Sequence, residues 1–452
     1  MDKDENSVMC TAPHVNQWPF TSAHKILLRC YSSLQLIEVH FLTIISKAMV
    51  NFSAFFEMTN FCYSLLGYMP YDEVSGQRAK NMPKGIKPYL RKLFFIISLI
   101  NINWVLFTEC AFVVVNFLEN ADFLQAARNL TFVGFVFVSD IKIAFNTRHS
   151  EHIQVLINKL YEMYPKCAKD QIAYNLEDYL KNYKRLARLE VLSYTFTAWS
   201  YNCQPILRFF IYKLWLQQLD VARDVPFYCW VPFEWRDNWL YYPLYISQAM
   251  AAQSCLSVFL GNDLLMCAAI QQLVIHFRKI VHDLNEYKVS GASTSARKDL
   301  KFLGSIVSRH QYTLELCELI NEIFGVTIFI SFSSTSFIIC FLAFQYSVGV
   351  PFDAMVMLFS YMICSMSQIY MICSYGQELI TTSEDVGHAV YNHDWHNADK
   401  SYKKMLAVII QRAQKPATLR GTYLLNVSMA TMTDLLQLSY KFFAVIRTMY
   451  AK

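Results

Sequence analysis

An all-α membrane protein with seven transmembrane helices is the fold class this sequence predicts, on three observations. Apolar residues make up 54% of the 452 positions and aromatics 15%, with only 12 glycines and 12 prolines. The mean hydropathy is +0.23, greasier than an ordinary soluble domain. Seven stretches approach the roughly 20 apolar residues a helix needs to cross a bilayer. No segment alternates apolar and polar residues over a useful length, so strands are not expected.

Residues 1–54 read as an N-terminal cytoplasmic extension. Its first 24 residues are polar and lack the basic-then-apolar pattern of a cleavable leader. The apolar run His40–Phe56 fits an amphipathic or interfacial helix, and Met49 offers an alternative translation start. Residues 55–92 form a cytoplasmic region before the first span. The spans themselves fall at about 93–117, 123–145, 189–212, 241–270, 323–346, 352–375 and 421–449. Some helices run on past the membrane. From Leu264 the pattern continues through Gln272, Phe277, Ile280 and Leu284 without a breaker until Gly291. Leu300, Leu303, Val307, Leu314, Cys317 and Phe324 then mark one helical face. Asn397–Gln414 repeats the theme, apolar at Tyr402, Met405, Leu406, Ile409 and Ile410 and solvated at Lys400, Lys403, Lys404 and Arg412, before Pro416 and Gly421 break it. Residues 264–324 and 376–420 are therefore expected to build a cytoplasmic helical anchor, whose apolar faces bury against one another and against neighbouring subunits.

Orientation follows from lysine and arginine. Thirty of the 40 lie in the extension and the loops on its side, five in the opposite loops and five inside spans. That bias puts the N-terminus in the cytoplasm and the C-terminus outside. The sequon Asn51-Phe52-Ser53 is then cytoplasmic and unmodified. The net charge of +5 is this cytoplasmic bias; no basic stripe with interleaved aromatics points to nucleic acid. Nine of the 13 cysteines fall in expected helices, and Cys229 is the single one in an external loop, so small packing residues are expected, not a disulfide framework.

Little points to an enzyme. His388, His393 and His396 with Asp394 have the composition of metal ligands, but the remaining histidines are scattered, and the cluster reads as polar residues at a loop and helix start. Trp395 beside them reads as a packing anchor. There is no glycine-rich phosphate loop and no nucleophile elbow. Asp263 and Asp353 sit alone near span ends, so no paired carboxylates are evident, and no cofactor is implied. Asp434 is different, because an ionisable side chain inside a span usually faces water or a partner. Two readings are open: a place on an ion path together with Gln437 one turn on, or an internal salt bridge to Lys142 or Arg208.

The ordered set Gly376, Leu379, Ser383, Ala389, Tyr391, Trp395, Arg412, Gln414, Pro416, Gly421, Ser439, Tyr440 and Arg447 resembles the C-terminal signature of the insect odorant receptor family. The resemblance covers roughly residues 55–452. It implies an inverted seven-helix membrane protein in the plasma membrane of olfactory sensory neurons. It also implies a tuning, odorant-specific subunit that assembles with the common odorant receptor co-receptor (Orco) into a heterotetrameric, odorant-gated, non-selective cation channel. The co-receptor itself carries a long insertion between spans four and five, where this chain is short. On the family's pattern residues 421–452 form the pore-lining seventh helix, with Asp434 and Gln437 facing the path and Leu436, Tyr440, Phe443 and Arg447 along one stripe of it. Arg447 departs from the co-receptor, which is apolar there. The odorant site is expected within residues 93–375, in the external halves of helices two to six: Phe132 and Phe135, Trp199 and Ile206, Gln248 and Ala252, Phe329, Ser333 and Ser336, and Met357 and Tyr361. The many aromatics lean toward a small aromatic or heteroaromatic volatile. The external loop Asp224–Trp235, with five aromatics and two prolines, reads as a compact lid.

The rivals fit less well. A G-protein-coupled receptor would have its N-terminus outside, Asp/Glu-Arg-Tyr after the third span and Asn-Pro-x-x-Tyr in the seventh. Gustatory receptors end in Thr-Tyr…Gln-Phe, where this chain has Ser439-Tyr440. A membrane enzyme would need the histidine patch to hold metal.

Overall fold

The computed structural model describes residues 49–71, 88–120, 123–215, 217, 223–289, 296–349 and 351–450. After a 3₁₀ turn at Phe52–Phe55 come α1 (Glu57–Leu66), α2 (Pro88–Val115), α3 (Phe123–Arg148), α4 (Ser150–Met163), α5 (Ala168–Ala173), α6 (Leu176–Phe210), α7 (Tyr241–Glu286), α8 (Ala296–Val348), α9 (Phe352–Asn392), α10 (Lys400–Ala413) and α11 (Met429–Tyr450). The seven apolar stretches correspond to α2, α3, α6, α7, α8, α9 and α11. Of these, α2, α3, α7, α8 and α9 are long and apolar enough to cross a membrane. Leu93, Ile97, Ile100, Trp104 and Phe107 on α2 stay exposed. An apolar face this extensive without a protein partner suits lipid, not water.

One helix organises the rest. Every residue of α7 from Ser254 to Phe277 is buried, and α1, α2, α3, α6, α8 and α9 all pack on it. A helix packed on every side has no solvent face to keep. Gly261 lets α1 come close: a Cβ there would stand 2.9 Å from the Tyr63 ring. Tyr63 Oη in turn accepts from the Asn146 side-chain amide at 3.0 Å, tying α1 to α3. Helix α1 ends at Gly67, whose φ of 72° is the left-handed conformation glycine adopts freely.

Several boundaries differ from the sequence reading. The region 55–92 contains helix α1, buried along the face of Thr59, Cys62, Tyr63 and Leu66. Of the run His40–Phe56, the residues before Met49 lie outside the described residues. Its end is not an interfacial helix, because Phe52 and Phe55 are buried and Phe52 packs edge-on to Tyr161 and Tyr164. Helix α6 begins at Leu176, thirteen residues before the apolar segment at 189, because its polar first turns are cytoplasmic in pattern and invisible to a hydropathy count. The stretch 421–449 is not one helix. Arg420–Gly421 pairs antiparallel with Leu425–Asn426 in a small β-hairpin, and α11 starts only at Met429. Glycines in neighbouring helices make room for it. A Cβ on Gly376 would lie 2.6 Å from the Val427 carbonyl, and one on Gly325 3.1 Å from the Arg420 carbonyl.

The ends of α7 and α9 and helix α10 close on one another within the chain. Buried Tyr402, Leu406, Ile409 and Ala413 form the inner face of α10, whose first turn is capped by Asp399 accepting from Ser401 N at 3.0 Å. His393 is buried, with Nδ1 2.8 Å from the Leu284 carbonyl and Nε2 2.7 Å from Tyr402 Oη. It joins the ends of α7, α9 and α10 as a structural residue. Trp395 is partly buried against the same core and donates to the Tyr391 carbonyl.

A candidate odorant cavity and the polar cluster beneath it

Between α2, α3, α6, α7 and α9 lies a cavity with about 620 Å³ of empty space, part of it open to solvent. Its wall is almost entirely apolar and aromatic. Phe132 meets Tyr201 edge-on at 5.1 Å and Phe227 at 4.9 Å, and lies parallel to Tyr361 at 6.3 Å. Phe135 packs on Phe259 at 4.7 Å and edge-on to Tyr361 at 6.4 Å. Ala251 and Ala252 keep the α7 side open.

The loop Asp224–Trp235 covers this space. Gln248 reaches from α7 to the backbone of Phe227, accepting from its N–H at 3.1 Å and donating to its carbonyl at 3.0 Å. Trp230 N donates to the Thr108 carbonyl, and Tyr241 Oη to that of Asp224. A second, more polar cavity of about 870 Å³, lined among others by Arg208, Asp224, Gln345 and Met357, shares Phe132, Tyr201 and Phe227 with the first. Those three rings are the partition between the two.

Beneath the cavity is a polar cluster that the sequence reading missed. Lys142 Nζ stands 2.8 and 2.9 Å from the two carboxylate oxygens of Asp263 and 3.8 Å above the Phe259 ring. Gln368 donates to Asp263 at 2.6 Å and accepts from Tyr194 Oη at 3.2 Å. Glu190 accepts from Ser367 at 2.5 Å. Asp263 is thus not a lone carboxylate near a span end. It is 2% exposed in the middle of α7 and paired. Lys142 is correspondingly unavailable to Asp434, and Arg208 lies beside the second cavity over the Tyr212 ring. Tyr194 belongs to both places: it lines the cavity and heads the hydrogen-bond chain to Asp263.

Phe132, Phe135, Gln248, Ala252 and Tyr361 come together around the first cavity, and Met357 around the second. Trp199 and Ile206 do not: they are 56% and 42% exposed on the far side of α6. The inward stripe of that helix is Tyr194, Thr197, Ala198 and Tyr201, a spacing of three and four that the sequence does contain. Phe329 and Ser333 lie on α8 away from the cavity, Ser333 bonding the Phe329 carbonyl. Ser336 is buried against α11, its hydroxyl 2.9 Å from Ser439 Oγ. Glu109 and Val105 of α2, a helix outside the two-to-six set expected to hold the site, and Phe227 of the lid loop also line the first cavity. The side chain of Asp353 lies outside the described residues. No group of three histidine, cysteine or acidic side chains that would hold a metal occurs among the described residues.

On α11, Leu435 and Ser439 are buried on the α8 side, while Asp434, Gln437, Tyr440 and Arg447 are exposed and Leu436 and Phe443 half-buried. Asp434 sits in the second turn of the helix, nearer its start than its middle.

The model of the 7tm odorant receptor family matches residues 122–440. The chain belongs to that family. Similar proteins include putative odorant receptor 85d of Drosophila melanogaster, 40% identical over 88% of this chain and 94% of that one. Odorant receptor 85b of the same species is 37% identical over 87% and 98%. The fold is similar to the solved insect olfactory receptor OR5 of Machilis hrabei, in complex with eugenol, with a TM-score of 0.72 at 15% identity over 91% of this chain and 99% of that one. This odorant receptor is accordingly a multi-pass membrane protein and not an enzyme.

Proposed function

We propose that the receptor is the tuning subunit of a heteromeric, odorant-gated, non-selective cation channel formed with the family's common co-receptor in the plasma membrane of olfactory sensory neurons. Seven crossings by α2, α3, α6, α7, α8, α9 and α11, with the N-terminus inside and the C-terminus outside, fit the thirty-to-five charge bias. The observation that carries the ligand reading is the aromatic-walled cavity under a tethered external loop. A small volatile would bind among Phe132, Phe135, Ala252 and Tyr361, with Gln248 holding the loop closed above it. OR5 is described in complex with eugenol.

Helix α11 is the proposed pore helix. Its α8 side is packed while Asp434, Gln437, Tyr440 and Arg447 stay exposed, a surface suited to a water-filled path or neighbouring subunits. Odorant binding would shift the population between closed and open arrangements of this helix, and Tyr194, shared by the cavity and the Asp263 cluster, lies on the contact route inward. The exposed cations Lys441 and Arg447 in four copies would crowd the external mouth, so a homomeric assembly is disfavoured. The test is whole-cell recording with an odorant panel, with and without the co-receptor. Evoked current only on co-expression supports the reading; robust current from this chain alone refutes the tuning-subunit assignment.

A further inference from the structure

We propose that the cavity selects volatiles carrying a hydroxyl group, with Glu109 of α2 as the anchor. The inference rests on the reading of this cavity as the odorant site and adds the chemistry of the ligand. In an otherwise apolar wall, three polar atoms have no hydrogen-bond partner among the described residues: Glu109 Oε2, Tyr201 Oη and Tyr361 Oη. All three residues line the cavity. Glu109 is 1% exposed and Tyr361 6%. Buried polar groups in native proteins are nearly always satisfied, and an unsatisfied one costs on the order of 1–3 kcal/mol.

The other polar wall residues are already engaged. Gln248 is spent on the Phe227 backbone, Tyr194 on Gln368, and Thr197 on the Cys364 sulfur at 3.3 Å. That leaves one carboxyl and two phenols to greet a ligand. A hydroxyl matches this set best because it both donates and accepts. It donates to a carboxylate, accepts from a carboxylic acid, and accepts from either tyrosine O–H. An ether only accepts, and a hydrocarbon satisfies none of the three. A protonated amine only donates, so it cannot accept the phenol O–H bonds that a hydroxyl oxygen takes.

The test uses the receptor co-expressed with the co-receptor and two shape-matched series. One is 1-heptanol, hexyl methyl ether, octane and heptylamine; the other is 2-phenylethanol, benzyl methyl ether, propylbenzene and 2-phenylethylamine. In at least one series the alcohol should reach half-maximal current at a concentration roughly tenfold or more below the ether and hydrocarbon, about one hydrogen bond's worth of affinity. Glu109→Leu should erase that advantage, raising the alcohol's half-maximal concentration to that of the ether, while Glu109→Gln, which still donates and accepts, should keep most of it. Surface staining accompanies each variant. Ether or hydrocarbon as potent as alcohol, preference for the amine, or silence of both alcohols overturns the proposal. Ala252→Phe, which fills the cavity, separates the two levels. If it abolishes every response while the Glu109 variants change nothing, the site reading stands and the hydroxyl assignment falls. If it changes nothing, the site reading itself falls.

Discussion

Removing one half of the Lys142–Asp263 pair should be far worse than removing both halves. At 2.8 Å and an effective dielectric constant near 20, Coulomb's law gives roughly 6 kcal/mol of attraction, most of it offset by taking both ions out of water. The net worth of the pair is therefore small, but the penalty for stranding one member is not. In Lys142→Met the Asp263 carboxylate keeps only the Gln368 and Asn262 amides, at 2.6 and 3.4 Å. Both residues are essentially sealed, at 0% and 3% side-chain exposure, so water cannot replace the ammonium. The expected loss is about 3–5 kcal/mol, enough to exhaust much of a typical fold's stability. Lys142→Met/Asp263→Leu carries no buried charge and should recover most of it. Surface biotinylation and the thermal midpoint of detergent-purified receptor measure both, as a double-mutant cycle. Wild-type amounts of folded Lys142→Met, or a double variant as unstable as the two single losses combined, would refute the reasoning.

Acidification should loosen the packing of α7 against α8 around His276 and His310. Burial, and secondarily the charge of Arg309, lowers His276 from 6.5 to about 4; burial, and secondarily Arg412, does the same to His310. Both are neutral at pH 7 in either state. As pH falls through 6.5 the unfolded chain takes up protons that the fold excludes, so stability is lost between about pH 6.5 and 4, near 2 kcal/mol per histidine at pH 5; thermal midpoints that stay level from pH 7 to 5 would count against it. Asp434→Asn should express normally, since its carboxylate is exposed, and should lower divalent permeability or single-channel conductance with little change in odorant sensitivity. Unaltered permeation removes Asp434 from the conduction path. An epitope tag after Lys452 should stain on intact cells and one before Met1 should not; the reverse would overturn the orientation.

The sequence discloses this fold where apolar runs are long. Helices α2, α3, α7, α8 and α9 are legible because length and composition alone mark them, and the continuation of α7 toward Gly291 follows from an unbroken periodic pattern. It is nearly silent where structure depends on distant partners. Lys142 and Asp263 are 121 positions apart, so each looks like an isolated charge. Gly376 stands out in the family signature, yet its reason, the Val427 carbonyl pressed against it, exists only once the hairpin has folded back. The cavity shows the same limit at finer scale. Phe132, Phe135 and Tyr361 line the cavity, whereas Trp199 and Ile206 of α6 face away from it, since composition there does not fix the helical phase.

The most direct test of the account is an electron cryo-microscopy map of the receptor–co-receptor assembly with an activating odorant bound. Ligand density should appear between Phe132, Phe135 and Tyr361, under the loop held by Gln248 and in contact with Glu109. An empty cavity with odorant density elsewhere in this subunit, or only in the co-receptor, would contradict it.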